Sequence, residues 1–203
     1  MRPTPRRKKR TVATPRRLTN RELRTREHLT EHEVEALVKL LAKNRNGLRD
    51  SLMVLVTFRH ALRAQETVDL RWDQVDFVRA VLNVRRVKHG IPSTHPLTGR
   101  ELRGLRRLKQ EQEPPSQFVF VSERGTPFTT SGFAKMVRRA TEGTELESLR
   151  VHVHMLRHAA GFHLVNKGTD ARRIQSYMGH SDLHHVTRYT QLASDCFNGL
   201  FED

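Results

Sequence analysis

The sequence predicts a mainly α-helical fold that carries one small antiparallel β-hairpin. Three observations point there. Apolar residues recur at i, i+3, i+4 and i+7 through most of the chain. Threonine, serine or aspartate stands before many of these segments and glycine or proline after them, as helix caps and stops require. Only Ala80 to Val87 reads as a strand of any length.

Taken in order, helix formation is expected at Thr30, where Thr30 and Glu33 make a capping-box pattern. Val34, Leu37, Val38 and Leu41 line one face of that helix, and Gly47 breaks it. A largely apolar helix from about Arg49 to His60 must be deeply buried, and a third runs from about Ala64 to Trp72. The Ala80–Val87 strand turns at His89-Gly90 and returns from about Ile91 to Leu97. Thr98 and Glu101 repeat the capping box. In the helix they start, Leu102, Leu105 and Leu108 face inward and Arg103, Arg106, Arg107 and Lys109 largely outward, until Pro114-Pro115 stops it. Phe118 to Val121 reads as a brief strand, and Phe133, Met136, Val137 and Ala140 mark a helix after the Thr129-Thr130-Ser131 cap region. Short helices fill the last third. One runs from about His154 to Asn166 and is stopped by Gly168; one runs from Thr169 or Asp170 to near Gly179; one spans roughly Ser181 to Thr190. Phe197, Leu200 and Phe201 add a final apolar stripe. There is no internal repeat.

Composition bounds the function. A chain of 203 residues with 36% hydrophobic side chains is expected to form one soluble globular domain with a real core, or at most a domain plus a small appendage. Its formal charge of +15 calls for a polyanionic partner. The excess is uneven, because residues 1–30 hold eleven Lys/Arg against Glu22 and Glu27, a net of +9. Residues 1–28, with Pro3, Pro5 and Pro15, read as a disordered basic arm, and residues 29–203 as the folded domain. The run Arg6, Arg7, Lys8, Lys9, Arg10, followed by Arg16 and Arg17, reads as a nuclear or organelle address or as an arm touching phosphates. The arm is preferred, since an address needs a receptor. Cys196 is the sole cysteine, so no internal disulfide forms. The apolar stretch Leu52 to Phe58 is too short to span a bilayer, and the N-terminus has no secretory core. A cytoplasmic location is expected.

Four patterns carry potential chemistry: Leu62-Arg63-Ala64-Gln65-Glu66, Val87-Lys88-His89-Gly90, His154-Met155-Leu156-Arg157-His158, and Gly179-His180 followed by Tyr189. Each alone has an ordinary explanation. Arg63 and Glu66 make a surface ion pair at i, i+3, Lys88 sits at a turn, His154 and Arg157 share a helix face, and Tyr189 packs on Val186. Together their order is Arg, Lys, His-x-x-Arg, Gly-His, and a tyrosine nine residues later.

That order resembles the catalytic domain of the tyrosine recombinases, the phage integrase family, from about Leu29 to the C-terminus. Within the family the short fimbrial phase-switch invertases look closest, through Phe58-Arg59-His60-Ala61-Leu62-Arg63, Ser93-Thr94-His95-Pro96-Leu97 and His154-Met155-Leu156-Arg157-His158. The resemblance implies the recombinase catalytic-domain fold and cleavage of DNA through a 3′-phosphotyrosyl bond to Tyr189. It implies His154 as general base, Lys88 as general acid on a mobile hairpin, and His180 as donor to a phosphate oxygen. Physical chemistry agrees on the rest. Arg63 and Arg157 suit the phosphorane charge, because guanidinium forks stay charged and bind oxygens in pairs; Glu66 is better read as orienting Arg63. No metal, ATP or other cofactor is implied, since the phosphotyrosyl bond conserves the energy of the broken linkage. The implied partners are double-stranded DNA, further copies in a homotetramer, and accessory DNA-bending proteins. In the family the C-terminal segment often docks on a neighbouring subunit, so the Phe197–Phe201 stripe packs either there or on its own core. Most relatives carry an N-terminal clamping domain in place of the basic tail seen here.

Three rival readings stand beside this one: a type IB topoisomerase, which relaxes supercoils with similar residues; a catalytically silent DNA-binding regulator; and a metal hydrolase. The last is prompted by His154/His158 and His180/His184 at i, i+4, but no His-Glu-x-x-His occurs.

Overall fold

The computed structural model of the chain describes residues 26–87 and 90–190. Eight α-helices surround a small sheet among these residues: α1 (Glu31–Ala42), α2 (Gly47–Arg59), α3 (Ala64–Val68), β1 (Val75–Asp76), β2 (Val81–Val84), β3 (Ser93–Pro96), α4 (Gly99–Glu111), α5 (Thr130–Thr141), α6 (Val153–Asn166), α7 (Ala171–Met178) and α8 (His184–Thr190). The mainly helical expectation holds.

α1 starts as expected. The Thr30 hydroxyl accepts from Glu33 N at 3.2 Å and Glu33 returns to Thr30 N at 2.8 Å. Such a cap contributes about 1 kcal/mol. Val34, Leu37, Val38 and Leu41 are buried against α2, whose residues from Leu52 to Phe58 are all buried. Each fully buried aliphatic side chain contributes roughly 1.5–3 kcal/mol, so this helix pair is the centre of the core. Packed order begins before the cap: Arg26 pairs with Glu33, and His28 stacks on Phe162 at 3.8 Å between ring centres.

Several bounds differ from the sequence reading. Gly47 opens α2 in place of merely ending α1; a Cβ there would lie 2.1 Å from the Ala42 carbonyl oxygen, so only glycine permits this tight link. α3 stops at Val68, well short of Trp72. The backbone beyond it is taken by the segment read as a strand from Phe118: Val119 N donates to Leu70 O at 2.8 Å and Trp72 N to Gln117 O at 3.0 Å. Phe118 and Val121 make only isolated bridges, to Arg71 and Pro127. The sheet has three antiparallel strands in the order β1-β2-β3, with Leu82 opposite both Val75 and His95. β1 was not expected. β2 ends at Val84 because Arg86 leaves the ladder and turns inward.

The second capping box is present at Thr98 and Glu101, and Leu105 and Leu108 of α4 are buried, with Leu102 only partly so. α6 and α7 carry the stops anticipated: Gly168 and Gly179 adopt φ +68° and +64°. Asp170 caps α7 through Arg172 N and Arg173 N. No described helix is long and apolar enough to cross a membrane.

Candidate active site

After α2 the chain turns at Ala61, which takes the left-handed conformation at φ +49°. A residue with a Cβ pays roughly 1–2 kcal/mol for this. The Ala61 carbonyl accepts from two guanidinium groups, Arg86 Nη1 at 3.2 Å and Arg157 Nη1. Two residues later Arg63 caps α3. Its Nη1 donates to Glu66 Oε1 at 2.7 Å, while its backbone N–H donates to the other carboxylate oxygen at 2.9 Å.

Glu66 is nearly inaccessible and collects four donors: Arg63 twice, Arg86 Nη1 at 2.9 Å and Val87 N at 3.1 Å. Burial opposes its charge, but the Arg63 backbone N–H, the Arg86 charge, the Arg63 guanidinium and the Val87 N–H prevail and hold its pKa below the usual range. Arg86 itself is fully buried and also donates to His60 O and Tyr177 O. Glu66 thus orients Arg63 and neutralises Arg86 together.

Arg157 on α6 is 2% exposed, and its second nitrogen donates to Met178 O at 2.7 Å. Burial first, then the Arg63 and Arg86 charges, lowers its pKa to about 9, with Glu66 and Tyr189 opposing. It remains cationic at neutral pH. α7 ends at Gly179, where a Cβ would lie 2.7 Å from the Arg86 side chain. The αL turn there delivers His180, whose ring lies parallel to that of Tyr189 at 6.4 Å. α8 presents Tyr189, 2% exposed, edge-on to Phe162. Its phenolic oxygen lies 3.2 Å from His158 Nδ1. Gly161 makes room for the phenol: a Cβ there would sit 2.8 Å from the tyrosine ring.

Arg63, His154, Arg157, His180 and Tyr189 line one cavity of about 420 Å³, with Gly90, His158, Gly179, Ser181 and His184 completing the wall. Five of the six residues singled out as catalytic are therefore brought together by four separate segments. Lys88 lies outside the described residues, as do the arm residues Arg6 to Arg17 and the Phe197–Phe201 stripe. Among the described residues, no three His, Cys, Asp or Glu gather as a metal-holding group. Three residues of consequence were given no part in the catalytic set from sequence. Arg86 had a signal, since residues 82, 84 and 86 share one strand face. His158 had one too, at i+4 from His154. The third, His60, forms a buried chain with Glu101 at 2.9 Å and His95 at 3.2 Å, which ties β3 to the turn before Arg63. Burial, His60 and Arg86 push the His95 pKa down to about 3, so that imidazole stays neutral.

A tyrosine hydroxyl facing arginines and histidines on this helical scaffold defines an enzyme class, the tyrosine-type DNA strand-transfer enzymes. The comparisons agree. The model of the phage integrase family matches residues 27–195, and the chain belongs to that family. It is 34% identical over 183 residues to the type 1 fimbriae regulatory protein FimE of Escherichia coli strain K12, covering 87% of this chain and 91% of that protein. It is also 34% identical over 181 residues to FimB of the same strain, covering 87% and 90%. Among solved structures, the XerA recombinase superposes with a TM-score of 0.72 at 24% identity, over 84% of this chain and 62% of that one. The catalytic domain of bacteriophage HP1 integrase gives 0.58 at 21%, over 82% and 88%. These two likenesses speak to the fold. Membership of this family, together with 28% identity to the tyrosine recombinase XerA of Pyrococcus furiosus over 82% of this chain and 57% of that one, makes the chain a site-specific DNA recombinase.

Proposed function

We propose that this enzyme inverts or integrates DNA by cleaving one strand at a time with Tyr189. The observation that carries the reading is that Tyr189, Arg63 and Arg157 line one cavity. The Tyr189 oxygen attacks phosphorus, and the phosphate stays on the enzyme as a 3′-phosphotyrosine while the 5′ oxygen leaves. Arg63 and Arg157 fork the non-bridging oxygens, each worth about 3 kcal/mol at the transition state. A histidine of α6 takes the phenol proton, the role that the resemblance gives to His154. Lys88 returns a proton to the 5′ oxygen, and His180 donates to a phosphate oxygen. Glu66 acts only through Arg63 and Arg86. The resemblance of Ser93 to Leu97 to the phase-switch invertases favours inversion over supercoil relaxation, and the grouping of Tyr189 with Arg63 and Arg157 favours catalysis over a silent regulator.

The test is a pool of nicked duplexes randomised around the nick, in which cleavage sheds a short 5′ fragment and traps the enzyme. The wild type is expected to give a covalent adduct on a denaturing gel, with or without a chelator. Tyr189→Phe is expected to give none while retarding the selected duplex as well as the wild type does. An adduct from Tyr189→Phe would refute the assignment. We further propose that the enzyme works as a homotetramer on paired sites in the cytoplasm, associated with the nucleoid and aided by DNA-bending proteins; the mass of the trapped complex reads the subunit number.

The basic arm, Arg6, Arg7, Lys8, Lys9, Arg10, Arg16 and Arg17, supplies sequence-neutral phosphate contacts. Deleting residues 1–25, which spares the packed Arg26 and His28, is expected to weaken binding and flatten its dependence on salt. Unchanged affinity and salt slope would exclude this role.

A further inference from the structure

Among the described residues, His158 is the imidazole placed at hydrogen-bond distance from the Tyr189 hydroxyl. Its Nδ1 lies 3.2 Å from the Tyr189 oxygen, within reach of direct proton transfer. The contact is fixed from several sides. His158 is 8% exposed, and the tyrosine ring is held edge-on by Phe162 and backed by Gly161. His154 stands one helical turn away, exposed at the rim, with its ring edge-on to that of His158 at 4.5 Å. The arginines complete the setting: Arg157 and Tyr189 interact electrostatically, and Arg63 lines the same cavity. A forming phenolate is stabilised by such fixed positive charge.

We propose that His158 is a catalytic residue, the group that takes the phenol proton as Tyr189 attacks, leaving His154 to bind the phosphate at the rim. This rests on Tyr189 being the nucleophile. As the Tyr189 oxygen–phosphorus bond forms, the phenol proton passes to His158 Nδ1. The bond from phosphorus to the 5′ oxygen breaks, and that oxygen leaves with the proton from Lys88. In rejoining, the 5′ hydroxyl returns its proton to Lys88 and attacks, and His158 gives its own back to the departing phenol. His158 touches the reacting atom itself, and the active-site string His154-Met155-Leu156-Arg157-His158 carries it at i+4 from the residue that the resemblance would use.

The experiment measures single-turnover adduct formation by the full chain on the duplex selected in the trap. His158→Asn sets an amide near the position of Nδ1, so it can still hydrogen-bond the phenol but cannot take its proton. The expected loss is roughly 10²-fold or more, the usual contribution of a general base, with duplex binding and melting temperature retained. The deciding measurement replaces Tyr189 by a ring-fluorinated tyrosine, whose more acidic phenol needs less help to ionise. It is expected to recover most of the lost rate in His158→Asn and to change the wild type little. A His158→Asn enzyme that cleaves at the wild-type rate, or one that fluorination leaves slow, overturns the proposal. His158→Gln, measured alongside, guards against a folding defect peculiar to asparagine and is judged by the same recovery. Tyr189→Phe in the same trap separates the two levels: an adduct there would sink the nucleophile assignment, whereas its absence with no fluorotyrosine recovery sinks only His158.

Discussion

Arg157→Lys is expected to form the covalent DNA adduct roughly 10²–10³-fold more slowly than the wild type, the cost of losing one preorganised charged donor. The guanidinium has three separate tasks. One nitrogen donates to Ala61 O, another to Met178 O at 2.7 Å, and the group lines the cavity proposed to take the phosphate. A lysine ammonium is a point charge on a flexible stem and cannot hold the two carbonyls in the same planar fork. It would also be easier to neutralise, because the burial and neighbouring cations that bring arginine down to about 9 act on lysine from a lower starting value. Binding of uncut duplex should fall much less than cleavage. Single-turnover rates within a few-fold of the wild type would show that Arg157 serves the fold and not the reaction.

The second large effect is on stability. Glu66→Gln is expected to cost about 3–5 kcal/mol, because removing one partner leaves the buried Arg86 charge uncompensated. For a chain of this size that is a fall of about 6–20 °C in melting temperature. The amide also points an N–H₂ at groups that are themselves donors: the Arg63 N–H, the Val87 N–H and two guanidinium groups. The pH dependence has a definite sign. The folded-state pKa of Glu66 lies below its ordinary value. Its stabilisation is therefore fully present above the unfolded carboxylate range, near 4.3, and disappears as the pH falls through the folded value. Wild type and Glu66→Gln should converge in stability towards acid. Chemical denaturation at neutral and acidic pH would check both points, and a gap independent of pH would contradict the ionised role.

Much of this was legible in the chain. Capping boxes at Thr30 and Thr98 and the stops at Gly168 and Gly179 are local chemistry, written within a few residues, and they fell where expected. What was hidden depends on partners distant in sequence. α3 ends at Val68 because the backbone at 117–119 takes over the donors and acceptors of residues 70 and 72, and nothing between 64 and 72 announces it. β1 is two residues that become a strand only through β2. Arg86 had only its parity with Leu82 and Val84 to place it on the buried face, and the partner that holds it there, Glu66, lies 20 residues earlier. At the site, residue identities pointed to the chemistry, but spacing alone did not reveal which helix-mate of His154 reaches the phenol. Packing decided that, through Phe162 and the missing side chain at Gly161.

The left-handed turn at Ala61 carries a last consequence. Two guanidinium groups anchor on its carbonyl, an atom that every amino acid possesses. What must be preserved at position 61 is thus a torsion angle together with a small side chain, because the residue is fully buried. Glycine is the replacement that meets both demands, so the moorings of the two arginines rest on one of the smallest side chains in the core.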